Sequence, residues 1–267
     1  MPHGFTTPLT PEGRSGVVPA PPPWHNAGTV LAIEYWCDPA RLEGYLPPGF
    51  TLGPDPGHAY AHFCEWQSVT DGGDELLDPI RAQYNEFFLL VSCTYAGQPT
   101  FLCPYMYVDN DQNLIRGLIQ GLPKQQASIH ITRAYPIPNK AGAMLAPGSR
   151  FGATMTYRGR RLVEASLALT GPGEPLGLPV NPCLGTRHFP DLTEGNVGTP
   201  LLHDLVAFAG TGKHTADCWA GTPTLTMYPA PNQELSDLAP VRLGRASRFA
   251  MGMTITHIRK VADIAGS

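Results

Sequence analysis

Lysine is scarce in this chain. Lys124, Lys140, Lys213 and Lys260 are the only four among 267 residues, against 14 arginines. Charged residues make up 15% of the sequence, and the net charge is −4. No basic block occurs, so a nucleic-acid surface has no electrostatic footprint. Long apolar runs are missing too. Phe87-Phe88-Leu89-Leu90-Val91 is strand-length, far short of the ~20 residues that span a bilayer, so no membrane partner is expected. The N-terminus has no basic segment followed by an apolar one, and no signal peptide is predicted. Cys37, Cys64, Cys93, Cys103, Cys183 and Cys218 are scattered without a CxxC pair. They read as buried thiols of a cytoplasmic protein in a reducing compartment.

The motif inventory is equally bare. GxGxxG, the P-loop and GxSxG are absent, which leaves nucleotide binding and serine hydrolysis without a signature. His58 and His62 are four apart, a helical metal-ligand spacing. On a strand, at ~3.3 Å per residue, they stand about 13 Å apart, so no metal is predicted.

What is present is a moderately apolar chain, 42% hydrophobic, punctuated by 29 glycines and 29 prolines. Such punctuation suits many short strands joined by turns. Strands are expected at Thr29–Trp36, His58–Gln67, Gln83–Tyr95, Thr100–Val108, Ala127–Tyr135, Arg150–Tyr157 and Arg161–Thr170. Further strands are expected at Cys183–Phe189, Leu201–Ala209, Thr215–Ala220, Thr224–Tyr228 and Leu243–Ile258. A short helix begins at Asp38-Pro39, an N-cap followed by proline in the first turn. The fold class this implies is α+β, mainly antiparallel β with a few short helices, able to curve into a ligand-holding barrel. Residues 1–28, with Pro19-Ala20-Pro21-Pro22-Pro23, read as an extended arm, and 29–267 as a single domain.

One stretch organises the rest. Apolar residues at 114, 115, 118, 119 and 122 follow a helical rhythm. Gly121 stands where a left-handed residue closes a helix, and Pro123 follows where proline often does. Lys124 is thereby fixed at a tight exit before an alternating run. It is either a buried amine or a cation that neutralises the helix C-terminus. Tyr84-Asn85-Glu86 opens the most apolar strand, and alternation puts Tyr84, Glu86, Phe88 and Leu90 on one face. Glu86 is either at the wet end of that strand or a buried acid/base.

The order of several short motifs narrows the choice. They are Trp24-His25-Asn26, Asp38 to Leu46 ending in proline, Tyr84-x-Glu86 and Asp109-Asn110 before a helix. Pro123-Lys124, Asn181-Pro182, Arg187-His188 and Trp219-x-Gly221 with Thr222 and Thr224 follow. In this order the chain resembles the acetoacetate decarboxylase superfamily over nearly its whole length. The resemblance implies a β-barrel or cone, a Schiff-base lysine at Lys124 and an active-site glutamate at Glu86. It also implies pocket roles for Gln120 and Tyr84, and for a C-terminal tyrosine placed at Tyr228. Arg116 and Gln120 are the candidates to hold a substrate carboxylate. No cofactor and no metal are implied. A homo-oligomer is, with a tetramer as the expected form.

Two positions depart from the decarboxylases. Gln125 stands where they carry a second lysine, and Ala27-Gly28 where they carry an arginine. These departures point away from acetoacetate and toward a 2-oxo acid such as pyruvate. The expected chemistry is an aldolase-dehydratase that condenses the lysine-bound enamine with an aldehyde, or runs the reverse. A β-keto acid decarboxylase and a non-catalytic small-ligand barrel are the alternatives.

Overall fold

The computed structural model describes residues 6–10, 18, 21–178, 182–208 and 210–264. Asn181 and half of the expected N-terminal arm lie outside the described residues. The first strand, β1 (Trp24–Trp36), begins before the expected Thr29. The proline run ends at Pro23, so from Trp24 onward each residue has an N–H to give a ladder. Trp24 already pairs with Ile255, and His25 with Val69.

Helix α1 (Pro39–Glu43) starts as expected, with the Asp38 carboxylate accepting the Ala40 N–H at 2.9 Å. Strands β2 (Phe50–Leu52) and β3 (His58–Val69) follow. The acidic loop holds a 3-10 turn at Asp74–Leu77 and the short helix α2 (Pro79–Ala82). Strand β4 (Gln83–Tyr95) has the expected bounds. The next expected strand is two, β5 (Gln98–Leu102) and β6 (Met106–Val108), parted around Pro104. Helix α3 (Asp111–Gln120) leads to β7 (Lys124–Gln126) and β8 (Ser128–Ile131).

Four long strands come next: β9 (Arg150–Tyr157), β10 (Arg160–Pro172), β11 (Cys183–Pro190) and β12 (Pro200–Phe208). Strand β13 (Thr211–Met227) merges the two strands expected there, its register slipping between Ala216 and Trp219 rather than breaking the strand. A 3-10 turn at Glu234–Leu238, β14 (Arg242–Ile255) and β15 (Ile258–Asp263) complete the chain.

The strands form one sheet in the order β15-β12-β11-β5-β4-β3-β1-β14-β13-β10-β9-β8, with β2, β6 and β7 joined through β4 and β6. Its pairs are antiparallel except β5–β11 and β6–β7. The expected class holds, but the barrel is open: among the described residues no ladder joins the two ends. Strand β8 instead curls back to pack on β3 and β4. Among the described residues no helix is long and apolar enough to cross a membrane.

The central strands are buried on both faces, which explains why β4 reads as a nearly unbroken apolar run. Phe87, Leu89 and Val91 join Leu31, Ile33 and Phe63 in the main core. Tyr84, Glu86, Phe88 and Leu90 face the other way, into a cavity. The six cysteines are free thiols; five are buried as expected, and Cys218 is half-buried.

Candidate active site

Helix α3 is held at both ends. The Asn110 side chain caps it by accepting the Asn113 N–H at 3.1 Å. At the other end Gly121 adopts φ 84°, ψ 22°, a left-handed conformation that costs glycine little. Its N–H reaches Leu118 O, and the Leu122 N–H reaches Gly117 O at 2.9 Å. This double closure turns the chain sharply, and Lys124 enters β7 two residues later, beside Met106 of β6.

The Lys124 stem runs back across α3 at Gly117. A Cβ on Gly117 would lie 2.2 Å from Lys124 Cδ, so the helix can pass only where it has no side chain. The amine then meets Glu86: Nζ to Oε2 is 2.8 Å, with both side chains buried. Burial is the main influence on Lys124 and pulls its ammonium below the ordinary lysine range. Glu86 opposes that shift, and the nearby Arg116 charge reinforces it. Of the two readings left open by the sequence, the buried amine is the one observed, and Glu86 likewise is buried rather than at a wet strand end.

Arg116 is itself 4% exposed. Its Nη1 donates to Ser68 Oγ at 2.7 Å and its Nη2 to the Tyr84 hydroxyl oxygen at 3.3 Å. The guanidinium lies 5.1 Å from the centre of the Trp24 ring. Among the described residues no carboxylate forms an ion pair with it, and its Nε makes no hydrogen bond. Asn26 Oδ1 and Trp66 Nε1 are also buried without hydrogen-bond partners, and both residues line the same cavity. Buried polar atoms of this kind are costly unless a ligand or water meets them. Arg116 Nε and Trp66 Nε1 are donors left for an acceptor such as a carboxylate oxygen, whereas Asn26 Oδ1 can only accept. Burial, reinforced by Glu86, raises the Tyr84 phenol well above its ordinary range, so Tyr84 stays protonated.

The cavity encloses about 400 Å³. Lys124, Glu86, Tyr84, Arg116 and Gln120 all line it, and its remaining wall is mostly apolar. Five of the six site residues expected from the sequence are thus brought together. Tyr228 is the correction. It is absent from the cavity lining, and its hydroxyl donates to Glu164 Oε2 at 2.8 Å. It directly follows β13, where its N–H bonds to Leu162 O of β10.

Both departures from the decarboxylase pattern change meaning in the folded chain. Alternation along β7 sends Gln125 away from the amine, to the side of Tyr107. Its Oε1 accepts from Gln233 Nε2 at 3.3 Å, and Gln233 Oε1 accepts from the Tyr107 hydroxyl at 2.7 Å. A cation at position 125 would therefore not adjoin Lys124; the cation that does is Arg116. Ala27 is exposed, and a Cβ on Gly28 would meet Glu65 O at 2.0 Å and the Trp66 ring at 2.6 Å. Neither position has a side chain reaching the cavity.

Ser68, Trp66 and His62 are cavity or site residues that the sequence did not mark. The alternation His62, Cys64, Trp66, Ser68 along β3 is the signal that puts them on one face. Gly117 also left a signal, since glycine inside a helix usually has a packing reason.

Comparisons with known proteins match nearly the whole chain. The family model of acetoacetate decarboxylase matches residues 6–265. Among curated proteins no sequence matches. Solved structures do. The enduracididine biosynthesis enzyme MppR, in complex with pyruvate, is 36% identical with a TM-score of 0.90, covering 99% of this chain and 100% of its own. The same enzyme has been solved with the condensation product of pyruvate and imidazole 4-carboxaldehyde, at the same identity and TM-score and covering 99% and 98%. An acetoacetate decarboxylase-like enzyme from Sphingomonas wittichii RW1 is 27% identical with a TM-score of 0.87, covering 98% of this chain and all of its own.

Proposed function

Because the chain belongs to the acetoacetate decarboxylase family, we propose that it is a lyase that forms a Schiff base between Lys124 and a 2-oxo acid such as pyruvate. The observation that carries this reading is the buried Lys124–Glu86 pair at 2.8 Å, set beside an arginine with no acidic partner among the described residues. Likeness to MppR, solved with pyruvate and with a pyruvate–aldehyde condensation product, supports 2-oxo acid chemistry over acetoacetate. Gln125 does not bear on that choice, because its side chain faces away from the amine.

Arg116 receives the carboxylate, assisted by Gln120 from the last turn of α3. Lys124, in its neutral form, attacks C2, and loss of water gives the iminium. Glu86 takes a proton from C3, and the electrons of that C–H bond move through C2 onto nitrogen as the enamine forms. The enamine carbon bonds to an aldehyde carbon, and the carbonyl π pair passes to its oxygen. Glu86 returns the proton there. It then removes one of the two protons still on C3 and gives it to the departing hydroxyl, so water leaves and a C=C bond forms. Hydrolysis of the iminium releases an unsaturated 2-oxo acid and restores Lys124. The net change is loss of one water from pyruvate and aldehyde. Tyr84, held protonated, is placed to donate a hydrogen bond to oxygen at C2.

The test is incubation with pyruvate and an aromatic aldehyde, with the product read by mass and ultraviolet absorbance. An unsaturated 2-oxo acid formed by the protein and not by Lys124→Ala is the expected result. The second reading, a β-keto acid decarboxylase, draws on the same iminium and on the family match. Rapid carbon dioxide release from acetoacetate with no condensation product would favour it instead.

A further inference from the structure

The β4 wall of the cavity presents Tyr84, Glu86, Phe88 and Leu90 in file, alternate residues spaced about 6.6 Å apart by strand rise. Arg116 stands at Tyr84 and Lys124 at Glu86. Directly across the ladder from Phe88 stands His62 of β3. A 2-oxo acid with its carboxylate at Arg116 and its C2 on Lys124 therefore directs its reactive C3 toward Phe88 and His62.

His62 takes no part in forming the enamine. It is 2% exposed and stacks on Phe88, with ring centroids 4.5 Å apart and planes at 10°. The Leu176 and Gly177 backbone lies beside the ring, yet neither ring nitrogen makes a hydrogen bond of good geometry. Gly177 packs closely against the ring edge, where a Cβ would sit only 2.3 Å from His62 Nε2. Both residues line the cavity. Burial pulls the imidazole down to about 4, so at neutral pH the ring is uncharged and carries one N–H. The same cavity is lined by the apolar Leu90, Met106, Phe208 and Met251.

We propose that His62 and Phe88 form the subsite for the second substrate, a flat apolar aldehyde, aromatic or conjugated, whose carbonyl oxygen accepts a hydrogen bond from the His62 N–H. The inference rests on the Schiff-base reading of Lys124. As the enamine carbon bonds to the aldehyde carbon, the π pair moves to oxygen, and His62 holds the developing negative charge. Glu86 supplies the proton, so His62 ends the step unchanged. A neutral imidazole acting as electrophile is established enzyme chemistry, and a donor aimed at a developing oxyanion is worth about 10²–10³ in rate.

Two rates separate this role from the first half-reaction. Exchange of pyruvate C3 protons in deuterium oxide, followed by NMR, reports the enamine. Condensation with benzaldehyde or cinnamaldehyde reports the acceptor step. For His62→Phe, the ratio of condensation to exchange is expected to fall at least about thirtyfold, with part of that loss recovered in His62→Gln, which keeps an N–H donor. An unchanged ratio in His62→Phe overturns the proposal, even if both rates fall together. An equal loss of ratio in both variants also overturns it, since a donor is then not what the position supplies. Wild-type exchange without condensation on either aldehyde overturns the substrate class. No exchange at all in the wild type, with no pyruvate adduct on Lys124, defeats the Schiff-base reading itself.

Discussion

Gly117 and Lys124, seven positions apart in sequence, occupy one another's space: the missing Cβ of the glycine is where the lysine stem lies, with Cδ only 2.2 Å from the position such a carbon would take. A helix residue chosen for emptiness thus aims an amine across the helix at Glu86. Gly117→Ala should raise helix propensity by about 1 kcal/mol while forcing the stem aside. Borohydride trapping of pyruvate is expected to slow at least about tenfold, since a misplacement near 1 Å can cost 10²-fold. Trapping at the wild-type rate would show that the lysine does not depend on this gap.

The buried pair makes a stability prediction. Lys124→Met leaves the Glu86 carboxylate buried without its cation, and removing one partner of such a pair typically costs about 3–5 kcal/mol. Adding Glu86→Gln removes the stranded charge. In urea unfolding the double variant is expected to be more stable than Lys124→Met alone. A double variant no more stable than the single one would mean that the two groups are not a buried ion pair.

Fold and site were legible to different depths. Chain-order patterns marked the strand on which Glu86 sits, with its bounds, and the left-handed Gly121 before Lys124. These are local signals: alternation, a glycine stop and a following proline. Tyr228 was misplaced because its position depends on the pairing of β13 with β10, which no local pattern records. Gln125 was read as the neighbour of Lys124 in sequence, whereas a strand turns neighbours to opposite faces. Openness of the barrel was invisible for the same reason as Tyr228, since closure is a matter of distant pairing. Sequence spacing pairs His62 with His58, whereas its neighbour in the fold, Phe88, is 26 positions away in sequence.

The depressed Lys124 pKa sets a pH dependence. Reductive trapping of a small neutral ketone needs the free amine, so its rate should rise with pH through a midpoint below the ~10.4 of an unperturbed lysine. Glu86→Gln removes the group that favours the ammonium and should move the midpoint down. Arg116→Gln removes a repelling charge and should move it up. Stability follows the same sign. Between the folded and unfolded pKa values the unfolded chain binds more protons at Lys124, so this residue's contribution rises with pH across that window and is lost as pH falls through the folded value. An upward shift in Glu86→Gln, or a downward one in Arg116→Gln, would contradict this balance of charges around the amine.

Gln125→Lys and Tyr228→Phe test the residues that face elsewhere. Gln125→Lys is expected to leave the pH midpoint for trapping in place and to add no acetoacetate decarboxylation. Tyr228→Phe loses a hydrogen bond to Glu164 and should leave pyruvate trapping at the wild-type rate. A downward shift of the midpoint in the first, or a large loss of trapping in the second, would place that side chain in the site after all.

The most direct measurement is borohydride reduction in the presence of pyruvate, followed by peptide mapping by mass spectrometry. The mass of one reduced pyruvate is expected on the peptide that carries Lys124, and nowhere else. No added mass, or mass on Lys140, Lys213 or Lys260 instead, would contradict a Schiff base at Lys124.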